Sequence, residues 1–253
     1  MGKYAALVDV SKCTACKACQ IACKQWNELP GEKTVNRGTY QNPPDLSVPT
    51  YTLIRFKEVS DKGEIRWNFF KDQCRHCLEP PCKEAADMTV KGAIIQDKDG
   101  AVLFTEKTRL LDIKEIREAC PYDIPRQDPN TKLMAKCTFC ADRIANGMIP
   151  ACIKVCPTGT LAFGPRDKIL EMANKRLEEV KKRFPLARLI DEDEVNWIYL
   201  LHQPEAEFQM TVRARTTRSV TVARRAFMRP FGALVAGTAL LGSVATDSDS
   251  SVE

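Results

Sequence analysis

Twelve cysteines stand against two histidines in this chain. They fall in four places. Cys13, Cys16, Cys19 and Cys23 form a C-x2-C-x2-C-x3-C run, and Cys74, Cys77 and Cys82 form a C-x2-C-x4-C run. Cys120 stands alone before Pro121. Cys137, Cys140, Cys152 and Cys156 form a C-x2-C-x11-C-x3-C run before Pro157. Zinc is one reading, because a structural zinc site takes two C-x2-C knuckles in a tetrahedral set. A disulfide framework is another, but the cysteines are too few and the chain too long for a stapled mini-scaffold. Neither accounts for cysteines at i, i+3 and i+6 with a fourth four residues on. A cubane [4Fe–4S] cluster does. Three thiolates on one loop reach three irons, and the fourth cysteine of the run ligates the other cluster of a pair. The proline that follows ends the ligand loop.

That exchange rule can be run through the sequence. Cys13, Cys16 and Cys19 take Cys156, and Cys137, Cys140 and Cys152 take Cys23. Cys74, Cys77 and Cys82 need a distant fourth ligand ahead of a proline, which Cys120 supplies. A fourth cluster would need cysteines where Leu110, Ile113, Ile116 and Ala86 stand. One whole ligand set is absent and no cysteine is orphaned. The expectation is three [4Fe–4S] clusters, with a fourth cavity filled by those four apolar residues.

Other candidate groups carry less. His76 lies inside the second run and reads as a hydrogen-bonding or surface group beside a cluster, and His202 as polar surface. Lys17, Lys24, Arg75, Lys136 and Lys154 neighbour ligands. They read as solvated charge, or as cations that raise a cluster's potential, since net charge helps set it. Trp26, Trp67 and Trp197 read first as packing and second as electron-path or interface residues. The sequence contains no Ser-His-Asp set, paired carboxylates or phosphate-cradling glycine loop. Gly232 and Gly237 make no nucleotide motif. A catalytic site is therefore not expected on this chain.

The elements that must position the cysteines follow from local pattern. Tyr4–Val10 predicts a strand into the first run, and Gln20–Asn27 a short helix carrying Cys23 and Trp26. Leu29–Pro49, with four prolines and two glycines, predicts a surface loop. Tyr51–Phe56 and Ile65–Phe70 predict a hairpin leading to Cys74. Ala93–Ile95 and Val102–Phe104 predict a second hairpin, with Asp99-Gly100 as a two-residue turn. Asp112–Glu118 predicts a short helix and Leu161–Phe163 a short strand. Arg166–Arg183 predicts an amphipathic surface helix through Ile169, Leu170, Met172, Leu177 and Val180. Val195–Leu201 predicts a strand or an extended clamp on a partner.

Composition bounds the rest. The 253 residues make one large domain or two small ones. Residues 1–210 carry 32 basic and 30 acidic side chains, poor footing for a nucleic-acid binder. A charged content of 28% excludes a polytopic membrane protein. Met1–Val10 has one lysine and a short apolar run, so no N-terminal signal peptide is expected. Residues 211–253 differ: six arginines, three acids and an uncharged stretch, Phe231–Ala245. As a helix that stretch spans about 22 Å, short of a bilayer core of about 30 Å. Arg224–Arg229 and the apolar run have the shape of a twin-arginine signal at the wrong end. A loose extension, a C-terminal membrane anchor and a fusion remnant stay open.

With its motifs in view, the chain resembles the iron–sulfur electron-transfer subunits of molybdopterin oxidoreductases. The stretches that carry the resemblance are Cys13–Trp26, Asp72–Cys82, Arg117–Pro125 and Cys152–Gly159, and it covers roughly residues 1–205. Within that family the three-cluster pattern resembles the beta subunit of soluble tungsten or molybdenum formate dehydrogenases of sulfate-reducing bacteria. The resemblance implies an α+β fold of two ferredoxin-like modules, the second inserted in the first. Residues 1–50 and 130–205 would form the outer module, with two clusters. Residues 51–129 would form the inserted one, with one cluster and one lost, and 206–253 a tail. It implies a non-catalytic relay between a molybdo- or tungstopterin alpha subunit and a cytochrome c or a membrane cytochrome b, quinone-linked acceptor. The Cys13/Cys16/Cys19/Cys156 cluster would lie nearest the catalytic subunit. It also implies a periplasmic location, reached with the catalytic subunit, or else a cytoplasmic one. The alternative within the family is a subunit of a dimethyl sulfoxide, polysulfide or nitrate-type reductase.

Overall fold

The computed structural model describes residues 3–61 and 63–210. In chain order the elements are β1 (Tyr4–Asp9), α1 (Ala18–Trp26), β2 (Thr52–Asp61), β3 (Glu64–Gln73), α2 (Pro81–Asp87), β4 (Ile94–Gln96), β5 (Val102–Phe104), α3 (Ile113–Ala119), β6 (Arg126–Gln127), β7 (Met134–Ala135), α4 (Ala141–Ala145), α5 (Ala151–Lys154), β8 (Leu161–Pro165), α6 (Arg166–Lys181), β9 (Arg188–Ile190) and β10 (Trp197–Leu201). The mixture of helix and strand agrees with the expected α+β class.

Trp197-Ile-Tyr-Leu-Leu201 is apolar at every position, and such a run needs cover on both faces of its sheet. It gets it. β10 pairs in parallel with β1 and antiparallel with β9, while β8 closes the other side of β1. Successive side chains of a strand point to opposite faces. Ile198 and Leu200 therefore join Ala5 and Leu7 under α6, whose Ile169, Ala173 and Val180 fall on one helical stripe. Trp197, Tyr199 and Leu201 join Ala6 and Val8 on the other face, with Phe70 and Phe139 from the cysteine-bearing parts. Val195 and Asn196 are buried too. Val195–Leu201 is thus an interior strand and its lead-in, which corrects the clamp alternative. Two-sided apolar composition marks a central strand.

Between β1 and β8 the chain makes three two-stranded ribbons, β2–β3, β4–β5 and β6–β7. The first is longer than its apolar cores suggest, pairing Thr52 with Gln73 and Asp61 with Glu64 at its ends. The β4–β5 connection runs Asp97–Ala101 and is not a two-residue turn. The Asp97 carboxylate accepts the N–H groups of Asp99 and Ala101, at 3.0 and 2.7 Å, and so caps a wider loop.

The segment before β10 ties the ribbons to the sheet. Asn196 donates through its backbone to the carbonyls of Arg75 and His76, and through Nδ2 to Gly100 O at 3.0 Å. Arg166 at the start of α6 donates to Val195 O at 2.6 Å and to Glu192 O. The packed body extends through Phe208, which is buried against Phe70 and His202. No helix among the described residues is long and apolar enough to cross a membrane. The readings made on residues 211–253 lie outside the described residues.

Candidate metal centres

The first cysteine run follows β1 through a 3-10 turn, Val10–Lys12, capped by the Asp9 carboxylate on Ser11 N at 3.1 Å. Asp9 is buried and also takes Arg176 Nε of α6 at 2.7 Å, which fixes where the loop leaves the sheet. Cys13, Cys16 and Cys19 then border a hollow that Cys156 completes from beyond α5. Cys74, Cys77, Cys82 and Cys120 border a second. The two hollows are alike in size, although the two runs are spaced differently. Cys23 lies within the electrostatic reach of Cys137, Cys152 and Cys140. The cysteines assigned together from spacing thus stand together in all three cases.

The loops around the sulfurs repeat one another. The residue two places after the leading cysteine is left-handed in each: Ala15 at φ 53°, His76 at φ 50° and Phe139 at φ 59°. A side chain in that region costs about 1 kcal/mol. Here the turn brings an amide back onto the preceding sulfur. His76 N donates to Cys74 Sγ and Phe139 N to Cys137 Sγ, both at 3.4 Å, and Ala15 N–H bonds Cys13. The two Cys-Pro segments repeat as well. Cys120 takes amide bonds from Ile124 and Tyr122, and Cys156 from Leu161, Thr158 and Thr160.

Burial dominates the acidity of most of these thiols. It pushes Cys120, Cys140 and Cys152 up to about 11 and Cys137 up to about 12, and Cys23 higher still. Burial acts the same way on Cys156, but amide and hydroxyl donors around its sulfur outweigh it and bring that thiol below its ordinary value. Among the described residues no three His, Cys, Asp or Glu side chains close on one point as a single ion needs; two of the quartets border hollows instead. Four soft donors on an apolar hollow, with N–H groups aimed at the sulfurs, fit a cubane cluster.

Cations near the sulfurs differ sharply in burial. Lys154 is exposed. Lys17 bonds Tyr40 O at 2.6 Å, and Lys24 bonds Pro49 O at 2.5 Å. Arg75 and Lys136 are buried, which corrects the solvated-charge reading for both. Arg75 pairs with Asp191 at 2.5 Å and stacks on Tyr122, 4.0 Å from its centroid. Lys136 borders the second hollow and donates to the carbonyls of Val102 and Cys137. A further cation went unnoticed in the sequence. Lys71 of β3 is buried beside the first hollow. Burial pushes its pKa down, but Cys152, Cys19, Cys137 and Cys23 push it up by more. Phe-Phe-Lys-Asp-Gln reads as an ordinary amphipathic strand end, so only its closeness to Cys74 could have flagged it.

His76 is wholly buried, so the surface half of its reading is set aside. Its Nδ1 accepts Val102 N–H at 2.9 Å, and its ring stacks on Phe139 at 4.9 Å. Burial, with Lys136 nearby, holds it well below the usual imidazole range, and so neutral. His202 is half-buried between Phe184 and Phe208 rather than plain surface. Trp197 is core. Trp67 is exposed, and Trp26 is partly exposed under Arg143 with its Nε1 on Asp142 at 2.7 Å.

The site without cysteines is packed with hydrocarbon. Ala86, Ile116 and Leu111 are buried together with Ala93, Ile94 and Val102, and Ile113 packs against them. Leu110 is 65% exposed, which corrects its place in the plug. The chain there is a 3-10 turn, Glu106–Leu110, in which residues three apart share a face. Buried Thr108 therefore sends Leu111 inward and Leu110 out.

Residues 65–166 match the 4Fe-4S dicluster domain family. The chain is 52% identical to formate dehydrogenase 2 subunit beta (cytochrome c-553) of Nitratidesulfovibrio vulgaris over 207 residues, 80% of this chain and 94% of that one. It is 48% identical to formate dehydrogenase subunit beta of Megalodesulfovibrio gigas over 208 residues, 81% and 97% of the two chains. It is 39% identical to the formate dehydrogenase-O iron-sulfur subunit of Escherichia coli over 207 residues, 80% and 68%.

Proposed function

The chain belongs to the family of formate dehydrogenase beta, or iron–sulfur, subunits, and on that premise we propose that it relays electrons through three [4Fe–4S] clusters from a molybdo- or tungstopterin catalytic subunit to a c-type cytochrome. When bound, each cluster takes up and gives off one electron at a time. Cys13, Cys16, Cys19 and Cys156 would hold the first, Cys137, Cys140, Cys152 and Cys23 the second, and Cys74, Cys77, Cys82 and Cys120 the third. The observation that carries this reading is the thiol-lined hollow built twice to the same size from differently spaced runs, once with Cys156 and once with Cys120 as the distant member.

The second set of thiols is the natural middle of the relay. Cys19 and Cys152 bear on one another, which links it to the first set, and Cys137 and Cys74 do so toward the third. The chain's part is to hold each sulfur, to donate N–H groups to it, and to exclude water through Phe139, His76 and Trp197. Two nested ferredoxin-like modules are the architecture this supports, the outer one formed by residues 1–50 and 130–205. The cytochrome end of the reading follows the name of the Nitratidesulfovibrio relative, and the periplasm is the compartment that suits it.

The test is anaerobic. The native complex, purified through this chain, is given formate while the broad visible absorbance of its clusters is followed. Bleaching is expected. A sample that dithionite bleaches and formate does not would overturn the formate part. A colourless, iron-free sample would overturn the cluster part.

A further inference from the structure

Lysine is seldom fully buried unless it is paired, yet Lys71 is 2% exposed. Its ammonium donates to two neutral oxygens, Thr52 Oγ1 at 2.6 Å and Gln73 Oε1. It also lies 5.1 Å from the centroid of the Trp197 ring. The adjacent Asp72 is held by Arg55 at 2.8 Å, and none of the ion pairs among the described residues includes Lys71. A charge so placed needs a counter-charge. The Trp197 ring beneath its ammonium packs at 5.8 Å on Phe139, inside the Cys137–Cys140 run. The ionisable groups that bear on it most are thiols of two different quartets, thiolates once they ligate iron: Cys152, Cys137 and Cys23 of the second and Cys19 of the first. It also borders the hollow of the first quartet. The third hollow has its own buried ammonium, Lys136.

We propose that Lys71 is a positioning cation shared by the first and second cluster sites, raising the midpoint potentials of both together while Lys136 serves the third. The proposal rests on the cluster reading above. A [4Fe–4S] core with four thiolates is a dianion when oxidised and a trianion when reduced. A fixed cation between two such sites therefore favours the reduced form of each. Thr52 and Gln73, paired across β2 and β3, hold the ammonium where both sites feel it. The outer two sites then form one electron reservoir whose level is set from a single side chain, separately from the third.

The experiment is an anaerobic redox titration of the native complex, followed by electron paramagnetic resonance, with iron counted in every sample. Lys71→Met is expected to lower the potentials of the two outer clusters and leave the third in place. The electron-sharing equilibrium between these two sites and the third should move about tenfold, which is about 59 mV for a one-electron couple. Lys71→Arg should restore the wild-type values, and Lys136→Met should shift the third cluster alone. A fully loaded Lys71→Met complex with unshifted potentials, or with all three shifted alike, would overturn the proposal. Should Lys71→Met lose iron from the outer sites only, and Lys71→Arg keep it, the charge is what those sites require and the proposal stands. Loss in both variants would show a packing role and overturn it. Failure of the cluster reading itself is told apart, because the wild-type complex would then lack the signals.

Discussion

Two pairs of short helices do comparable work with different materials. In the outer pair α1 carries Cys19 and Cys23, and α5 carries Cys152 with Cys156 just beyond it; the two helices pack together. In the inserted pair α2 carries Cys82 and Ala86, and α3 carries Ile116 with Cys120 at its end; these also pack together. The positions correspond, four residues apart on one helical face. Where the outer pair presents two thiols per helix, the inserted pair presents one thiol and one hydrocarbon group. Cys23 and Cys152 bear on one another at the end where, in the other pair, Ile116, Ile113, Leu111 and Ala86 fill the space. A helix pair of this kind needs something at both ends of its contact, and an iron–sulfur cube or a plug of methyl groups can each meet that need.

The largest test of this comparison is Cys120→Ala. It should remove one cluster's iron, a third of the total, and leave the outer two signals intact, as read by iron analysis and electron paramagnetic resonance. Loss of iron from all three sites would break the independence of the two pairs. Ile116→Ala probes the plug. A buried isoleucine cut to alanine costs about 2–5 kcal/mol, so the denaturation midpoint of the loaded protein should fall while its iron content holds.

Acidity separates hollows from plug further. Burial keeps Cys120, Cys137, Cys140 and Cys152 protonated to about 11 or 12, and each must release a proton to ligate iron. Reconstitution of iron-free chain should therefore strengthen as pH rises from about 7 to about 9, throughout which the free thiols stay protonated. In the iron-free fold the same raised values have the opposite effect. The stability they contribute is whole below the ordinary thiol value and is lost as pH climbs through 11 to 12. A yield flat in pH would contradict the burial described. The smallest effect is Gly159→Ala. Gly159 has φ +64° with nothing within 4 Å of an added methyl, so only backbone strain of about 1 kcal/mol is expected. A larger loss would show that the Cys156 loop tolerates less than the open space suggests.

Much of this was legible in the residues because cysteine spacing is a local record of a three-dimensional ligand set. The four groups, the prolines behind Cys120 and Cys156, the short helix at Cys23 and the stripe of α6 all follow from pattern within a few residues. What escaped depended on distant partners. Lys71 looks like any polar residue on a strand until Thr52, Gln73 and two sets of thiols surround it. Leu110 and Leu111 are adjacent and chemically alike, and only the tighter winding of the 3-10 turn decides which faces inward. Val195–Leu201 could be an edge or a centre until β1 and β9 are set on either side.

The pairing of β1 with β10 also bears on time. β1 precedes every cysteine and β10 follows them all, yet they are neighbours in one sheet. The members of the Cys74/Cys77/Cys82/Cys120 quartet are all in hand once residue 120 has been made. The outer hollow cannot close until Cys156 has arrived, and its supporting sheet not until residue 201. At roughly 5–20 residues per second of synthesis, the interval between those points is on the order of several seconds. Until Cys156 is made, the first quartet waits with three of its four thiols, open to solvent and to stray metal or oxidant. The Cys74/Cys77/Cys82/Cys120 quartet can therefore gather first, though its packing against Lys136 and Val195 still waits, and the first quartet is the one whose assembly calls for longer protection.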